Sequence, residues 1–160
     1  MIIGITGDTH HNVQSIRRIL AAAPQVDLWL HTGDHEEDAN ILEALSGVKV
    51  IRVTGNCDLD KRAAAPDQEL ELEGFKLWLT HGHNYIDFNE ERELAWWAEQ
   101  LKVDIVVYGH THVPKNVWVG NKLLINPGSP SRPRTLEGPS FAVLTLKAGK
   151  TPELQHIFLK

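Results

Sequence analysis

The chain has 160 residues, 42% of them hydrophobic and 23% charged, a size and composition that suit one folded domain over residues 1–160 without covalent staples. Its formal net charge of −5 argues against a partner such as long nucleic acid, which needs a basic face to displace counterions, yet leaves a small phosphorylated substrate open because metal ions can supply positive charge locally. Its lone cysteine, Cys57, excludes an internal disulfide, and no stretch approaches the ~20 apolar residues of a membrane span.

Ile2 to Thr6 is a short β-branched run that reads as a buried strand. It is too short for the apolar part of a secretion signal and lacks a basic leader, so a cytoplasmic location is expected. Asn12 is placed to cap a helix carrying Val13, Ile16, Ile19, Leu20 and Ala23 on one face, with Pro24 as its stop. Val26 to Leu30 is the next strand. Asp38 is expected to cap a second helix with Ile41, Leu42 and Leu45 inward, ended by Gly47. Val48 to Val53 follows as a third strand. This β-α-β-α-β order predicts parallel strands joined by right-handed crossovers.

The pattern then changes. Leu70 and Leu72 alternate, Glu73-Gly74 turns, and Phe75 to Leu79 returns, which is a hairpin. Asn89 can cap a helix with Leu94, Trp97, Ala98 and Leu101 on one stripe. Val103 to Tyr108 is another buried strand, and Val117 to Val119 with Lys122 to Ile125 flank the tight turn Gly120-Asn121. Phe141 to Leu146 and Leu154 to Leu159 form a final pair. The expected fold class is α/β: a layered sandwich of two packed mixed sheets flanked by helices, more parallel in its first half.

Polar residues concentrate where the strands end. Five apolar strands each run into a turn marked by glycine or threonine that carries a metal-ligand side chain: Gly7-Asp8-Thr9-His10, Gly33-Asp34, Gly55-Asn56-Cys57-Asp58, Thr80-His81-Gly82-His83 and Gly109-His110-Thr111-His112. In open α/β sheets the carboxyl ends of strands converge on one crevice. Glycine lets the backbone leave the strand sharply and approach an ion or phosphate closely. Oxygen and nitrogen ligands without thiolates suit manganese, iron, zinc, cobalt or nickel. Any one block alone also fits a turn aspartate or a solvent-facing histidine; five in one order and one structural position point to a site.

These blocks resemble the calcineurin-like metallophosphoesterase superfamily, whose pattern runs Asp-x-His, Gly-Asp, Gly-Asn, His, Gly-His-x-His. The small single-domain phosphodiesterases of bacteria and archaea are the nearest look, through the Gly-Asn-Cys-Asp form at positions 55 to 58 and the run Asn126-Pro127-Gly128-Ser129. The resemblance covers nearly the whole chain. It implies a four-layer fold and two adjacent divalent ions, manganese first, with nickel, zinc, iron or cobalt also fitting. Asp8, His10 and His112 would hold one ion and Asn56, His81 and His110 the other. Asp34 would bridge them, since a carboxylate has two oxygens to share. Asp34, Asn56 and His81 carry the catalytic assignment. The implied reaction is hydrolysis of small phosphate diesters by a metal-bridging hydroxide.

The chain departs from many superfamily members at Cys57, where they place a histidine after the asparagine. A thiol is a weak donor, so leaving-group protonation is expected to be weak or handled elsewhere; a purely packing role for Cys57 is the alternative. His83 is a candidate to touch substrate phosphate, to brace a ligand or to bind the metal itself, or else a solvated loop residue. Asp58 is expected to accept a hydrogen bond from a ligand imidazole and fix its tautomer. Ser129, Arg132 and Arg134 follow the Asn-Pro-Gly turn, and an arginine fork suits phosphate geometry, although a solvated basic loop or an interface would use the same residues.

His11 and His35 follow proposed ligands without matching the family pattern and read as turn or helix-start residues. His31 should pack within its strand, and His156 lies outside every block. Glu36, Glu37 and Asp38 read as a solvated acidic run at a helix start. Trp97 falls on the apolar stripe of its helix, while its neighbour Trp96 should be partly exposed and could mark a homodimer interface. Two other functions compete: a phosphomonoesterase on the same site, and a non-catalytic protein-binding scaffold, a role that a retromer subunit of this superfamily plays with a degraded metal site. A metal-binding regulatory protein without turnover is a third.

Overall fold

A computed structural model of the chain describes residues 1–58 and 64–160. Its elements run β1 (Ile2–Thr6), α1 (Val13–Ala22), β2 (Leu28–His31), α2 (Asp38–Ser46), β3 (Val50–Arg52), β4 (Asp67–Leu72), β5 (Phe75–Thr80), α3 (Glu90–Leu101), β6 (Ile105–Val107), β7 (Lys115–Val119), β8 (Lys122–Asn126), β9 (Ser140–Thr145) and β10 (Glu153–Phe158). The first sheet has the order β10-β9-β1-β2-β3 and the second β4-β5-β6-β8-β7. β1, β2 and β3 are parallel, as are β5, β6 and β8. The hairpins β4–β5 and β7–β8 fall where their turns predict, and β9 and β10 add antiparallel strands on the other side of β1.

Alternation along each strand builds the layers, because successive side chains point to opposite faces. Ile3, Ile5, Leu28 and Leu30 of the first sheet meet Leu77, Leu79, Ile105, Val107, Leu123 and Ile125 of the second in one buried core. The intervening residues face outward and are buried again under helices. Trp29, Phe141 and Val143 pack with Ile16 and Ile19 of α1 and with Ala39 and Leu42 of α2. Trp78, Val106, Tyr108 and Leu124 pack with Leu94 and Ala98 of α3. Burial on both faces is why these strands read as unbroken apolar runs. The result is the expected helix–sheet–sheet–helix sandwich.

Helix starts obey local chemistry. The Asn12 side chain accepts a hydrogen bond from Ser15 N at 3.0 Å, and Asn89 accepts from Arg92 N at 3.0 Å. Gly47 ends α2 in the left-handed region at φ 67°. Asp38 does not cap α2: Glu37 holds that position without a side-chain hydrogen bond, and Asp38 is the first helical residue. Leu45 is 46% exposed rather than inward, since the short helix rests on Ala39 and Leu42. Trp96 is 55% exposed, as its angle around α3 predicts. No helix among the described residues is long and apolar enough to cross a membrane.

Candidate metal centre

The loops after β1, β2, β3, β5 and β6 bring the predicted ligands from both sheets to one place. Asp8, His10, Asp34 and His112 each offer a donor atom, all within 4.8 Å of one another. His112 Nε2 lies 3.1 Å from Asp8 Oδ1, His10 Nε2 is 3.4 Å from His112 Nε2, and Asp34 Oδ2 is 3.9 Å from His10 Nε2. The second group stands on the other oxygen of the same carboxylate. His81 Nε2 is 3.3 Å from Asp34 Oδ1 and 2.9 Å from Asn56 Oδ1, and His110 Nδ1 is 3.0 Å from Asn56 Oδ1. Asp34 thus turns one oxygen to each group.

The donor chemistry fits a pair of cations. His81 Nδ1 lies 2.8 Å from the Thr32 carbonyl, and His112 Nδ1 lies 2.7 Å from the Arg132 carbonyl. A carbonyl only accepts, so each Nδ1 carries the proton and Nε2 of the neutral ring presents a lone pair. Those lone pairs point at further acceptors: Asn56 Oδ1 and Asp34 Oδ1 in one group, Asp8 Oδ1 in the other. Asp8 Oδ1 is buried and accepts no well-aligned hydrogen bond despite its closeness to His112. Acceptors crowded this way repel unless a cation lies among them, and a second partner fixing the tautomer is the usual support of a ligating histidine.

Protonation follows the same fields. Burial first, then the neighbouring charge of Arg132, holds His10 below its ordinary pKa. Burial first, then His81, does the same for His110. Burial also works against protonation of His112, but the adjacent Asp8 carboxylate outweighs it and raises the pKa. A proton on His112 and a cation beside Asp8 would therefore compete for this pocket. Burial opposes ionisation of Asp34, yet His81 and hydrogen bonds from Cys57 keep its carboxyl below the usual range.

The backbone at the site is unusual. Asp8, His10, Asp34, His110 and His112 all have positive φ, between 50° and 66°. A non-glycine residue there costs on the order of 1–2 kcal/mol, which the packed loops must offset. Close approach explains two glycines: a Cβ on Gly55 would sit 2.3 Å from Asp34 Oδ1, and one on Gly109 would sit 2.6 Å from Asp8 Oδ2.

The remaining predicted residues divide. Asp58 does not orient an imidazole. Its buried carboxylate accepts from Glu36 N at 2.9 Å, Asp34 N at 3.1 Å and Gly55 N at 2.6 Å, so it ties the β2 loop to the β3 loop. Glu36 and Asp38 are buried, not solvated: Glu36 pairs with Arg52 at 2.7 Å, and Asp38 accepts from His11 N at 2.9 Å. Ser129 is fully buried and braces the site by donating to the Asp8 carbonyl at 2.9 Å and accepting from Arg132 N at 2.9 Å. Ser131, which sequence reasoning missed, donates to the same carbonyl at 3.0 Å. Asn126 holds the β6 loop by donating to Gly109 O at 2.8 Å and Thr111 Oγ1 at 3.1 Å.

Cys57 N donates to Asp34 Oδ1 at 2.8 Å. Burial first, then the hydrogen bond and charge of Asp34, push its thiol up to about 11. His83 lies on the flank, its ring 5.2 Å from that of His81 and 6.1 Å from that of His110. A cavity of about 410 Å³ opens over the centre, lined by His10, Asp34, Asn56, Cys57, His110 and His112 with Arg132, Pro133 and Arg134 on one wall. The carbonyls of Thr32 and Arg132 carry no side-chain signature and could not be foreseen. His31 sits within β2 as expected, donating from Nε2 to Thr9 Oγ1 at 3.2 Å while its Nδ1 accepts from Gly33 N at 3.3 Å. His156, outside the centre, contacts the Asn126 carbonyl at 2.8 Å.

The chain resembles known proteins in sequence and in fold. The chain is 32% identical over 94% of its length to a probable metallophosphoesterase of Methanothermobacter thermautotrophicus, covering 88% of that protein. It is 32% identical over 92% of its length to a probable metallophosphoesterase of Bacillus subtilis, covering 85% of it. A predicted phosphoesterase from Streptococcus pneumoniae superposes with TM-score 0.81 at 28% identity, covering 98% of this chain and 88% of that one. Two further structures share the fold: an archaeal phosphodiesterase (TM-score 0.80, 24% identity, 99% and 100% covered) and Vps29 of Entamoeba histolytica complexed with zinc (TM-score 0.78, 23% identity, 98% of each). The model of the calcineurin-like phosphoesterase superfamily domain matches residues 1–149, and the chain belongs to that family.

Proposed function

We propose that the protein is a metal-dependent phosphodiesterase acting on small phosphate diesters at a centre for two divalent ions, with manganese the first candidate metal. The observation that carries this reading is the crowding of lone-pair donors on both sides of Asp34, one carboxylate oxygen toward each group. Asp8, His10 and His112 would hold one ion, Asn56, His81 and His110 the other, and Asp34 both. When bound, such ions supply Lewis acidity that activates water and polarises phosphoryl oxygens.

The chain's own groups do the rest. The Thr32 and Arg132 carbonyls hold His81 and His112 in orientation. Arg132 and Arg134 on the cavity wall suit the non-bridging oxygens of a phosphate. The Cys57 thiol, protonated at neutral pH, faces the cavity as a weak donor, so leaving groups that need little protonation should be preferred. We place the enzyme in the cytoplasm, with a homodimer formed through the exposed Trp96 face of α3.

The test is to strip the protein with chelator, restore manganese, nickel, zinc or magnesium singly, and assay an activated aryl diester beside the matching monoester. Restored diester cleavage that is lost in Asp34→Asn supports the reading; faster monoester cleavage moves it to a phosphomonoesterase on the same site. A protein-binding scaffold is the second reading, favoured by the likeness to Vps29 structures and opposed by the complete ligand set. Two bound ions with no turnover on any ester would favour a scaffold or a regulatory metal-binding role.

A further inference from the structure

Two of the turns that carry the metal centre each continue into a second histidine. His10 is followed by His11 and Asp34 by His35, and both followers are held at positive φ, 58° and 62°. Their rings face each other with centroids 3.8 Å apart at 57°. Glu37 completes the cluster, with Oε1 3.5 Å from His11 Nε2. One donor atom from each of the three lies within 4.8 Å of the other two.

This cluster shares no residue with the groups around Asp34. The His35 ring packs edge-on against the His10 ring at 5.2 Å, so one imidazole layer divides the two sets. The side chains of His11 and Glu37 are 57% and 61% exposed. Asp38 supports the cluster from beneath: its Oδ2 accepts the His11 backbone N–H at 2.9 Å, and its Oδ1 lies 3.7 Å from His11 Nδ1. That leaves His11 Nε2 turned toward Glu37. A carboxylate behind one nitrogen of a histidine, with the other nitrogen beside a second ligand, is the arrangement that orients ligating imidazoles.

We propose that His11, His35 and Glu37 form a further transition-metal site beside the His10 turn. Two imidazoles and one carboxylate suit zinc, nickel, cobalt or copper, whereas magnesium and calcium prefer all-oxygen sets. With two exposed protein ligands and a half-buried one, the site fills after the buried pair and leaves positions open to solvent. It places added positive charge next to His10 when transition metal is abundant.

Zinc binding by equilibrium dialysis tests this on wild type and on His11→Ala/Glu37→Gln, two exposed changes outside the Asp34 groups. Wild type should hold one more zinc per chain at saturation, with the tightly bound fraction equal in both proteins. Magnesium should show no such difference. Glu37→Gln alone should weaken the extra site by at least roughly tenfold, the lower end of what losing even an outer partner of a metal site costs. A second measurement needs no variant: zinc added beyond the tight fraction should protect His11 from diethyl pyrocarbonate, read by peptide mass spectrometry. Equal zinc stoichiometry in the two proteins, or His11 reactivity unmoved by zinc, overturns the proposal. If the Asp34 groups held no metal, the tight fraction would vanish from both proteins while the difference of one ion persisted.

Discussion

Asp58→Asn isolates what holds the centre together without touching a ligand. Asp58 is 5% exposed, and among the described residues its carboxylate receives three backbone N–H groups, from Glu36, Asp34 and Gly55. An amide cannot accept at both ends. Its oxygen can take over the Asp34 and Gly55 bonds, but its NH₂ then faces the Glu36 N–H, donor against donor. One buried donor is left unsatisfied, at about 1–3 kcal/mol, and two bonds lose their charge assistance, at about 1 kcal/mol more. The expected loss is about 2–4 kcal/mol, or roughly 4–16 °C in Tm for a domain of this size. Because the Asp34 N–H is one of the three, the bridge position shifts as well, and metal affinity should fall roughly 10–100-fold. Thermal melting with excess chelator separates the first effect from the second, which a manganese titration of the folded variant reads. A variant melting within about 1 °C of wild type and binding manganese equally well would refute this account of Asp58.

Three further outcomes are expected. His31 is buried and neutral, and burial lowers its pKa from 6.5 to about 4; the unfolded chain therefore binds the extra proton between those values, and stability is lost as pH falls through that window, up to about 3 kcal/mol by pH 4. Urea melts of wild type and His31→Gln should show the gap between them narrowing from pH 7 to pH 4, and parallel pH profiles would contradict the assignment. Cys57→His restores an acid of suitable strength, so it should gain roughly 10²-fold on alkoxide leaving groups and flatten the dependence of rate on leaving-group pKa; equal slopes in the two proteins would sink the weak-donor reading of Cys57. Lys102 ends α3 in the left-handed region at φ 55°; Lys102→Gly should raise stability by about 0.5–1 kcal/mol, seen as a Tm higher by roughly 1–4 °C.

Much of this architecture was legible because local and global signals agree. Ile2 to Thr6, the Asn12 and Asn89 caps and the Gly120-Asn121 turn each state their structure within a few residues. The five polar blocks were legible for the same reason, since each immediately follows an apolar strand. What was hidden depends on distance or on the main chain. The pairing of β9 with β1 joins residues more than 130 positions apart, and no local pattern encodes it. Asp38 and Asp58 look like surface acids until their backbone donors are seen, and Glu36 until its Arg52 partner is. The carbonyls that orient His81 and His112 belong to Thr32 and Arg132 whatever side chains those residues carry. The left-handed backbone at five proposed ligand positions was also invisible, because aspartate and histidine do not announce positive φ as glycine does.

The central claim is a two-metal centre shared through Asp34. Anomalous diffraction from crystals loaded with manganese tests it most directly. Two peaks about 3.5–4 Å apart, one against each oxygen of Asp34, are expected. A single peak, or peaks that leave Asn56, His81 and His110 without an ion, would contradict it.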